Sequence, residues 1–249
     1  MNRQPIIEAV ELTKTYNGFT AVDHLNLRVE EGEIFGFLGP NGAGKTTTIL
    51  MLLGLTEPTS GKALVGGYNA TRESLKVKRI AGYLPEKLGF YEDLTAKENL
   101  SYIARLNAIP EREAAGSIKE LLALVGLPEV AERKVETFSR GMKQRLGIAS
   151  LLVKAPKVVF LDEPTVGLDP EGVNFILDLI VRLSKEQGLT VLLSSHLLHQ
   201  VQKICHRVGI LSKGRLVAEG PLERLGREAF GTEGGYSLEE IYLRYFHEG

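Results

Sequence analysis

Residues 39–47 read Gly-Pro-Asn-Gly-Ala-Gly-Lys-Thr-Thr, and this segment restricts the fold of the chain more than any other. It fits the phosphate-loop pattern G-x-x-x-x-G-K-[ST] without a mismatch. Residues 33–38 before it, in which an apolar run follows Glu33, are typical of a buried strand, and residues 45–53 after it are typical of an apolar helix. We therefore expect a strand, a loop around nucleotide phosphates and a helix, in that order.

Each part of this loop has a chemical role in binding a nucleoside triphosphate. Glycines allow the backbone to curl so that its N–H groups face the phosphate oxygens. The ammonium of Lys45 is expected to reach the β- and γ-phosphates, and the hydroxyl of Thr46 is expected to bind Mg²⁺. The loop residues assigned to the nucleotide are Gly39, Pro40, Asn41, Gly42, Ala43, Gly44, Lys45, Thr46 and Thr47.

A second apolar run, residues 158–161, ends in two adjacent carboxylates, Asp162 and Glu163. The carboxyl ends of strands are where ligands of open α/β sheets bind. We expect Asp162 to hold Mg²⁺ through water and Glu163 to polarise the water that attacks the γ-phosphate. Together with the phosphate loop, this pair predicts an enzyme that hydrolyses a nucleoside triphosphate.

The order of strand and helix patterns predicts an α/β protein. Residues 6–38 alternate like an antiparallel β element, and a further strand pair flanks Gly66-Gly67. From Thr95 the pattern becomes helical, with a capping box at 95–98 and helices to about 108, over 111–125 and over 141–153. Strands return at 157–161 and 190–194, with a helix between them that begins at Asp169-Pro170 and ends at Gly188.

These patterns predict a phosphate-loop NTPase core with a mainly parallel sheet, an N-terminal antiparallel β element and an inserted α-helical lobe. A single domain is expected over residues 1–230, with its core at 1–93 and 155–230 and its helical lobe at about 94–154. Residues 231–249 are expected to form a glycine-rich linker and a C-terminal helix. The apolar stripe of that helix either packs on the chain's own core or contacts a second subunit or a membrane partner; it consists of Leu238, Ile241, Tyr242 and Tyr245.

The bulk composition excludes several classes of partner and location. The 249 residues include 30 lysines and arginines and 31 aspartates and glutamates, so no basic footprint for nucleic acid or anionic lipid is present. Cys205 is the single cysteine, which excludes an internal disulfide and fits a reducing cytosol. No signal peptide or membrane span is apparent in the sequence. We expect a cytoplasmic chain that reaches the inner face of a membrane only through a partner.

Residues 138–146 read F-S-R-G-M-K-Q-R-L at the start of a predicted helix. Ser139 can cap this helix, and its hydroxyl and the N–H of Gly141 offer a site for an anion. The segment resembles the signature sequence of ATP-binding cassette (ABC) ATPases, which is usually L-S-G-G-Q. The other motifs of that family occur in the same order over nearly the whole chain.

The resemblance implies functions for residues outside the phosphate loop. It implies that Tyr16 stacks on the adenine of ATP and that Val22 lines the same pocket. It places Glu86 in the Q-loop, where it joins Thr46 and Asp162 as a Mg²⁺ ligand. It also makes His196 a contact of the γ-phosphate, so that the catalytic set is Glu163, His196 and Lys45.

Two departures from the family pattern affect the expected chemistry. Arg140 and Met142 replace a glycine and the glutamine of the signature, so the contact with a facing nucleotide depends on Ser139 and the Gly141 N–H. Glu86 replaces the usual glutamine, which keeps an oxygen for Mg²⁺ and loses an amide donor. Similar variants occur in a branch that resembles bacterial ATPases for drug, antibiotic and sodium export.

The resemblance implies a transport ATPase that pairs head to tail with a second copy of itself or a related ATPase and binds an integral membrane permease through residues 87–100. The signature helix can bind a phosphate only if a second phosphate site faces it, and a two-fold pair of subunits provides such a site. Three alternatives stay open from the sequence: a non-hydrolysing nucleotide sensor, a soluble ABC ATPase of translation or DNA repair, and a phosphate-loop kinase.

Overall fold

The computed structural model describes residues 5–231 and 235–247. The strands are β1 Pro5–Tyr16, β2 Phe19–Glu30, β3 Ile34–Leu38, β4 Ser60–Val65, β5 Tyr68–Asn69, β6 Ala81–Leu84, β7 Val158–Asp162, β8 Thr190–Ser195, β9 Arg207–Ser212 and β10 Arg215–Gly220. The helices are α1 Lys45–Leu52, α2 Ser74–Ile80, α3 Ala96–Leu106, α4 Glu111–Leu124, α5 Arg140–Leu152, α6 Pro170–Gln187, α7 Leu198–Ile204, α8 Leu222–Phe230 and α9 Leu238–His247.

The central sheet has six strands in the order β10-β9-β3-β8-β7-β6. The pairs from β9 to β6 are parallel, and β10 pairs with β9 in the antiparallel direction at one edge. Strands β3, β7 and β8 are buried along their whole length, as strands covered on both faces must be. Because these neighbours are parallel, their carboxyl ends lie side by side. The residues that follow the strands therefore come together at that end of the sheet.

The first two strands form the predicted antiparallel element, in a sheet of order β2-β1-β4-β5. They are joined by the two residues Asn17 and Gly18, both with positive φ. Such a pair favours a tight hairpin turn whose twist matches the strands. Tyr16 and Phe19 face each other beside this turn and are both exposed, so the hairpin presents an aromatic ring at its tip.

Helices α3, α4 and α5 lie between β6 and β7 in the chain, although these two strands are neighbours in the sheet. The capping box at the start of α3 is present, with the Thr95 hydroxyl accepting from the Glu98 N–H and the Glu98 carboxylate accepting from the Thr95 N–H. Leu100, Ile118 and Leu146 bury one face of each helix in a common core. The sequence therefore predicted the inserted helical lobe correctly.

The last helix packs on the chain's own core. Leu238 and Ile241 of α9 are fully buried, and Tyr242 and Tyr245 are half-buried against the same apolar cluster. A second capping box fixes the start of the helix, because the Ser237 hydroxyl accepts from the Glu240 N–H. Of the two alternatives for the apolar stripe, the structure shows the intramolecular one. Residues 232–234 of the predicted linker lie outside the described residues.

Within residues 5–231 and 235–247, no helix has the length and apolar content that crossing a bilayer requires.

Candidate nucleotide-binding site

The loop of residues 39–44 joins β3 to α1 and rests directly on neighbouring backbone. A Cβ on Gly39 would lie 2.6 Å from the Leu211 carbonyl oxygen, and one on Gly44 would lie 2.5 Å from that of Ala21. Only glycine fits at these two contacts. A Cβ on Gly42 would meet no other atom within 4 Å. The loop therefore contacts backbone at Gly39 and Gly44 and is unobstructed at Gly42.

Strands β2, β9 and β10 hold the loop in place. The Gly214 N–H, in the turn between β9 and β10, donates to the Ala43 carbonyl at 3.1 Å, and the Asp23 N–H donates to the Gly214 carbonyl at 2.9 Å. Val22 is fully buried under the loop, because its position on β2 faces the core. The structure therefore gives Val22 a supporting contact with the loop and no open surface towards a base, which differs from the expected lining of the adenine pocket.

Lys45 projects into the curl of the loop and is 6% exposed. Its Nζ donates to the carbonyl oxygens of Gly39 at 2.7 Å and Pro40 at 3.3 Å. It also lies 3.5 Å from Oε1 of Glu163. A cation inside a ring of backbone groups at the start of a helix fits a phosphate group, whose charge it can neutralise.

Asp162 lies at the end of β7 with both carboxylate oxygens held by hydroxyls. The Thr46 hydroxyl donates to Oδ2 at 2.7 Å, and the Ser194 hydroxyl donates to Oδ1 at 2.5 Å. Oxygen donors of this kind are the ligands that Mg²⁺ prefers, so Thr46 and Asp162 together fit a magnesium ion. Burial raises the pKa of the nearby Tyr83 hydroxyl to about 12, and the negative charge of Asp162 adds to this effect.

Glu163 has a backbone conformation that is rare outside glycine, with φ of 52°. Its N–H is held by the backbone oxygen and the hydroxyl of Ser194, both at 3.2 Å. One carboxylate oxygen lies 3.0 Å from Nδ1 of His196, and the other, Oε1, is buried without a hydrogen bond. Strained residues with an unsatisfied polar atom are typical of catalytic positions.

The same edge of the sheet therefore brings together Lys45, Glu163 and His196. Lys45 and Glu163 are buried, and His196 is 45% exposed at the mouth of the site. Oε1 of Glu163 is buried, has no hydrogen bond and lies 3.5 Å from the Lys45 ammonium, so the carboxylate faces the cation that is expected to bind phosphate. The arrangement supplies a phosphate cradle, a carboxylate base and a second polar group at one place.

Comparison with known proteins agrees with this geometry. Residues 22–166 match the family model described as ABC transporter. The chain is 46% identical over 220 residues to the bacitracin transport ATP-binding protein BcrA of Bacillus licheniformis, which covers 88% of this chain and 71% of BcrA. This chain belongs to the ABC transporter family. It is also 41% identical over 215 residues to the linearmycin resistance protein LnrL of Bacillus subtilis, with 86% of this chain and 69% of LnrL covered.

Solved ABC structures have the same fold. The structure of an ATP-binding subunit of an ABC transporter superposes with a TM-score of 0.87 at 32% identity, over 97% of this chain and 99% of that one. The dimeric cassette MJ0796 bound to ADP and phosphate superposes with a TM-score of 0.79 at 26% identity, over 87% and 98% of the two chains. The chain is thus an ATP-binding subunit of the ABC type, in a family whose members generally hydrolyse ATP.

The ABC signature lies at the start of α5, away from the loop in the chain. The Ser139 hydroxyl accepts from the Met142 N–H at 3.2 Å, which makes Ser139 the predicted helix cap. The guanidinium of Arg140 packs on Gly167 in the loop before α6, since a Cβ on Gly167 would lie 2.3 Å from its Nη1. Arg140, with Gly141, lines a cavity of about 410 Å³ between the signature and the start of α6.

Two further ABC positions are exposed and lie apart from the buried carboxylates. Tyr16 at the tip of β1 is 44% exposed, which leaves ring surface for a base. Glu86 is exposed on the loop after β6. In the described part of the chain, no hydrogen bond or ion pair joins Glu86 to Thr46 or Asp162, so its part in binding Mg²⁺ stays a prediction.

Ser194 is a site residue that the motif analysis missed. It is fully buried and contacts both carboxylate residues, Asp162 through its side chain and Glu163 through its backbone and hydroxyl. The available signal was a pair of hydroxyl residues, Ser194 and Ser195, at the end of an otherwise apolar strand. A buried hydroxyl needs a partner, and two carboxylates lie at the end of β7, the strand that pairs with β8.

Proposed function

We propose that this chain is the ATP-hydrolysing subunit of an ABC exporter. The observation that carries the proposal is the contact of Glu163 with both Lys45 and His196 beside the phosphate loop. This contact supports the assignment of Glu163 as a carboxylate base beside the γ-phosphate. Export is supported by the names of the relatives BcrA and LnrL, which refer to bacitracin transport and linearmycin resistance.

In the proposed reaction, the chain's own groups bind the triphosphate and direct water to it. Lys45 exchanges its contacts with the Gly39 and Pro40 carbonyls for contacts with the β- and γ-phosphates. Glu163 accepts a proton from water as the water oxygen bonds to the γ-phosphorus and the bond to the ADP oxygen breaks. His196 holds the Glu163 carboxylate in this position. Thr46 and Asp162 would hold Mg²⁺, which neutralises phosphate charge when bound.

We further propose that two copies pair head to tail and that ATP closes the pair. Ser139 and the Gly141 N–H form an anion-binding helix start on the inserted lobe, and such a group is complete only against a phosphate on another subunit. The dimeric MJ0796 cassette with ADP and phosphate supports this arrangement. Hydrolysis and phosphate release would then open the pair and drive motion in a membrane partner.

The surface around residues 87–100 supports a membrane permease as that partner. Tyr91 is 52% exposed and packs edge-on against Tyr102, with ring centroids 4.9 Å apart. Asn99 fixes the loop by exchanging hydrogen bonds with the Tyr91 backbone at 3.0 Å. Rigid, exposed aromatic side chains are typical of interface anchors. The chain would thus lie on the inner face of the membrane through its permease.

Two measurements test the proposal in sequence. Purified full-length protein should release phosphate from ATP when Mg²⁺ is present and should stop when EDTA removes it. If an adjacent reading frame encodes a protein with about six apolar spans of 20 residues, co-expression with it should yield a complex that copurifies in detergent and whose ATPase rate depends on that subunit. Absence of Mg²⁺-dependent phosphate release would exclude a hydrolase, and hydrolysis without any membrane complex would favour a soluble ABC ATPase.

A further inference from the structure

Lys14 occupies one face of the ring proposed to stack on adenine. Its ammonium lies 4.8 Å from the centroid of the Tyr16 ring. The two residues are two positions apart on β1, so their side chains leave the strand on the same side. A cation over the face of a tyrosine is attracted by the ring's quadrupole. One face of Tyr16 is therefore covered by charge within its own strand.

Lys14 is itself anchored to the segment that follows the phosphate-binding helix. Its Nζ donates to the Glu57 carbonyl at 2.7 Å. This segment is tied to β1 on both sides, because the Thr15 N–H donates to the Thr59 hydroxyl at 3.0 Å and the Thr59 N–H donates to the Thr13 carbonyl at 2.8 Å. The ammonium is thus fixed relative to α1, the helix that begins with Lys45.

The ring would otherwise have few restraints. Tyr16 lies at the tip of a hairpin, and Phe19 opposite it is 66% exposed. An unrestrained side chain loses rotamer freedom when a ligand orders it, and this loss weakens binding. A contact that orders the ring beforehand reduces that cost.

We propose that Lys14 is a positioning residue for the nucleotide base. It holds one face of the Tyr16 ring and leaves the opposite face to the base. The proposal rests on the proposed stacking of Tyr16 on adenine. It assigns to Lys14 an effect on the base and none on the phosphates, which separates it from a general electrostatic attraction of a cation for ATP.

The test compares two ligands by calorimetry on the full chain, with EDTA present to prevent hydrolysis. Lys14→Met should weaken ATP binding about two- to fivefold, the size of an exposed cation–π contact. It should leave the binding of inorganic tripolyphosphate, which has no base, unchanged. Lys14→Arg should retain wild-type ATP affinity, because arginine keeps both the charge and a donor.

Lys62→Met is the matched control, because Lys62 is an exposed lysine on β4 of the same sheet. It should change neither affinity. In the Tyr16→Ala background, Lys14→Met should have no further effect on ATP. A loss of tripolyphosphate binding, or an equal loss in that background, would overturn the proposal.

The outcomes also separate this inference from the stacking on which it rests. If Tyr16→Ala binds ATP as the wild type does, the stacking of Tyr16 is wrong. If Tyr16→Ala weakens ATP binding but Lys14→Met does not, the stacking holds and the positioning by Lys14 is wrong. Thermal unfolding of each variant checks that the hairpin stays folded.

Discussion

Asp162 can bind an ion well only if its two oxygens are held in place, and two hydroxyls do this. Ser194 donates to Oδ1 and Thr46 to Oδ2, in a site where Asp162 is 3% exposed. Thr46 is itself one of the residues that would hold Mg²⁺, whereas Ser194 is not. The Ser194 contact does not compete with the ion and so orients the carboxylate for it.

Ser194→Ala is therefore expected to weaken Mg²⁺ binding. The Mg²⁺ concentration that half-saturates ATP hydrolysis should rise about 10- to 100-fold, which is the range for removing a group that orients a metal ligand. ATP binding in EDTA should be unchanged, because Lys45 and the loop are intact. Ser150→Ala, which removes another hydroxyl that donates within the chain, serves as the control. An equal loss of ATP affinity in EDTA would show that Ser194 supports the loop as a whole.

Glu163→Gln should abolish hydrolysis while ATP still binds. Glutamine has nearly the same shape and can still contact His196, but its amide cannot accept the proton from water. We expect turnover to fall by about 10²–10⁴-fold, the usual contribution of a general base. Phosphate release and ATP titration on the same preparation measure the two effects separately. Turnover near the wild-type rate would show that another group is the base.

The sequence pointed to four residues that the structure brings together here, but it missed Ser194 and the contacts that orient the carboxylates. Lys45, Asp162, Glu163 and His196 each follow a buried strand, and the alternation of strands and helices places such residues at one edge. The contacts of Ser194 with Asp162 and of Lys14 with Glu57 join residues that pattern and spacing do not relate. The resemblance implied that Val22 lines the base pocket, but its side chain on β2 is buried in the core.

At the scale of elements, the C-terminal helix is part of the folded core. Ile241→Ala should lower the free energy of unfolding by about 2–5 kcal/mol, because it leaves a cavity where a fully buried side chain was. Leu243→Ala is the matched control in the same helix, since Leu243 is 52% exposed and should change stability by less than about 0.5 kcal/mol. Chemical denaturation followed by circular dichroism measures both.

The burial of α9 also predicts the effect of deleting residues 231–249 on stability. Deleting α9 removes two fully buried side chains, Leu238 and Ile241, from the apolar core. We therefore expect the truncated chain to be less stable than the full-length chain. Equal stability of the full-length and truncated chains would show that the helix contributes little to the core.

Local signals identified most helices and several strands but not the order of the sheet. Capping residues Thr95, Ser139 and Asp169 mark three helix starts, and the structure confirms all three. The hairpin of β9 and β10 was missed, because short apolar runs do not distinguish a strand from a helix. The order β10-β9-β3-β8-β7-β6 depends on pairing between distant segments, for which one sequence holds no local signal.

For the whole molecule, the proposed pair of subunits makes each ATP site composite. One subunit supplies the phosphate loop, with Lys45 and Glu163, and the other supplies the signature, with Ser139. Consider a mixed pair in which one subunit has a defective phosphate loop and the other has a defective signature. Both defects then lie in the same ATP site. The second site of such a mixed pair is then built only from intact parts.

Mixing two inactive variants should therefore restore hydrolysis. Lys45→Ala removes the cation of the loop, and Ser139→Glu places a negative charge opposite the γ-phosphate, so each variant alone should be inactive. An equal mixture should recover about a quarter of the wild-type rate, because random pairing makes half of the dimers mixed and each has one of two sites intact. Phosphate release measured against the mixing ratio should peak at equal amounts.

The control mixture combines Lys45→Ala with Glu163→Gln. Both changes lie in the half that supplies the phosphate loop, so every possible pair has a defect in each site and no recovery is expected. Recovery in the first mixture and none in the second requires that the signature act on the nucleotide of the other subunit. If neither mixture recovers while Glu163→Gln alone forms a dimer with ATP, the signature does not complete the facing site, and the head-to-tail arrangement is wrong.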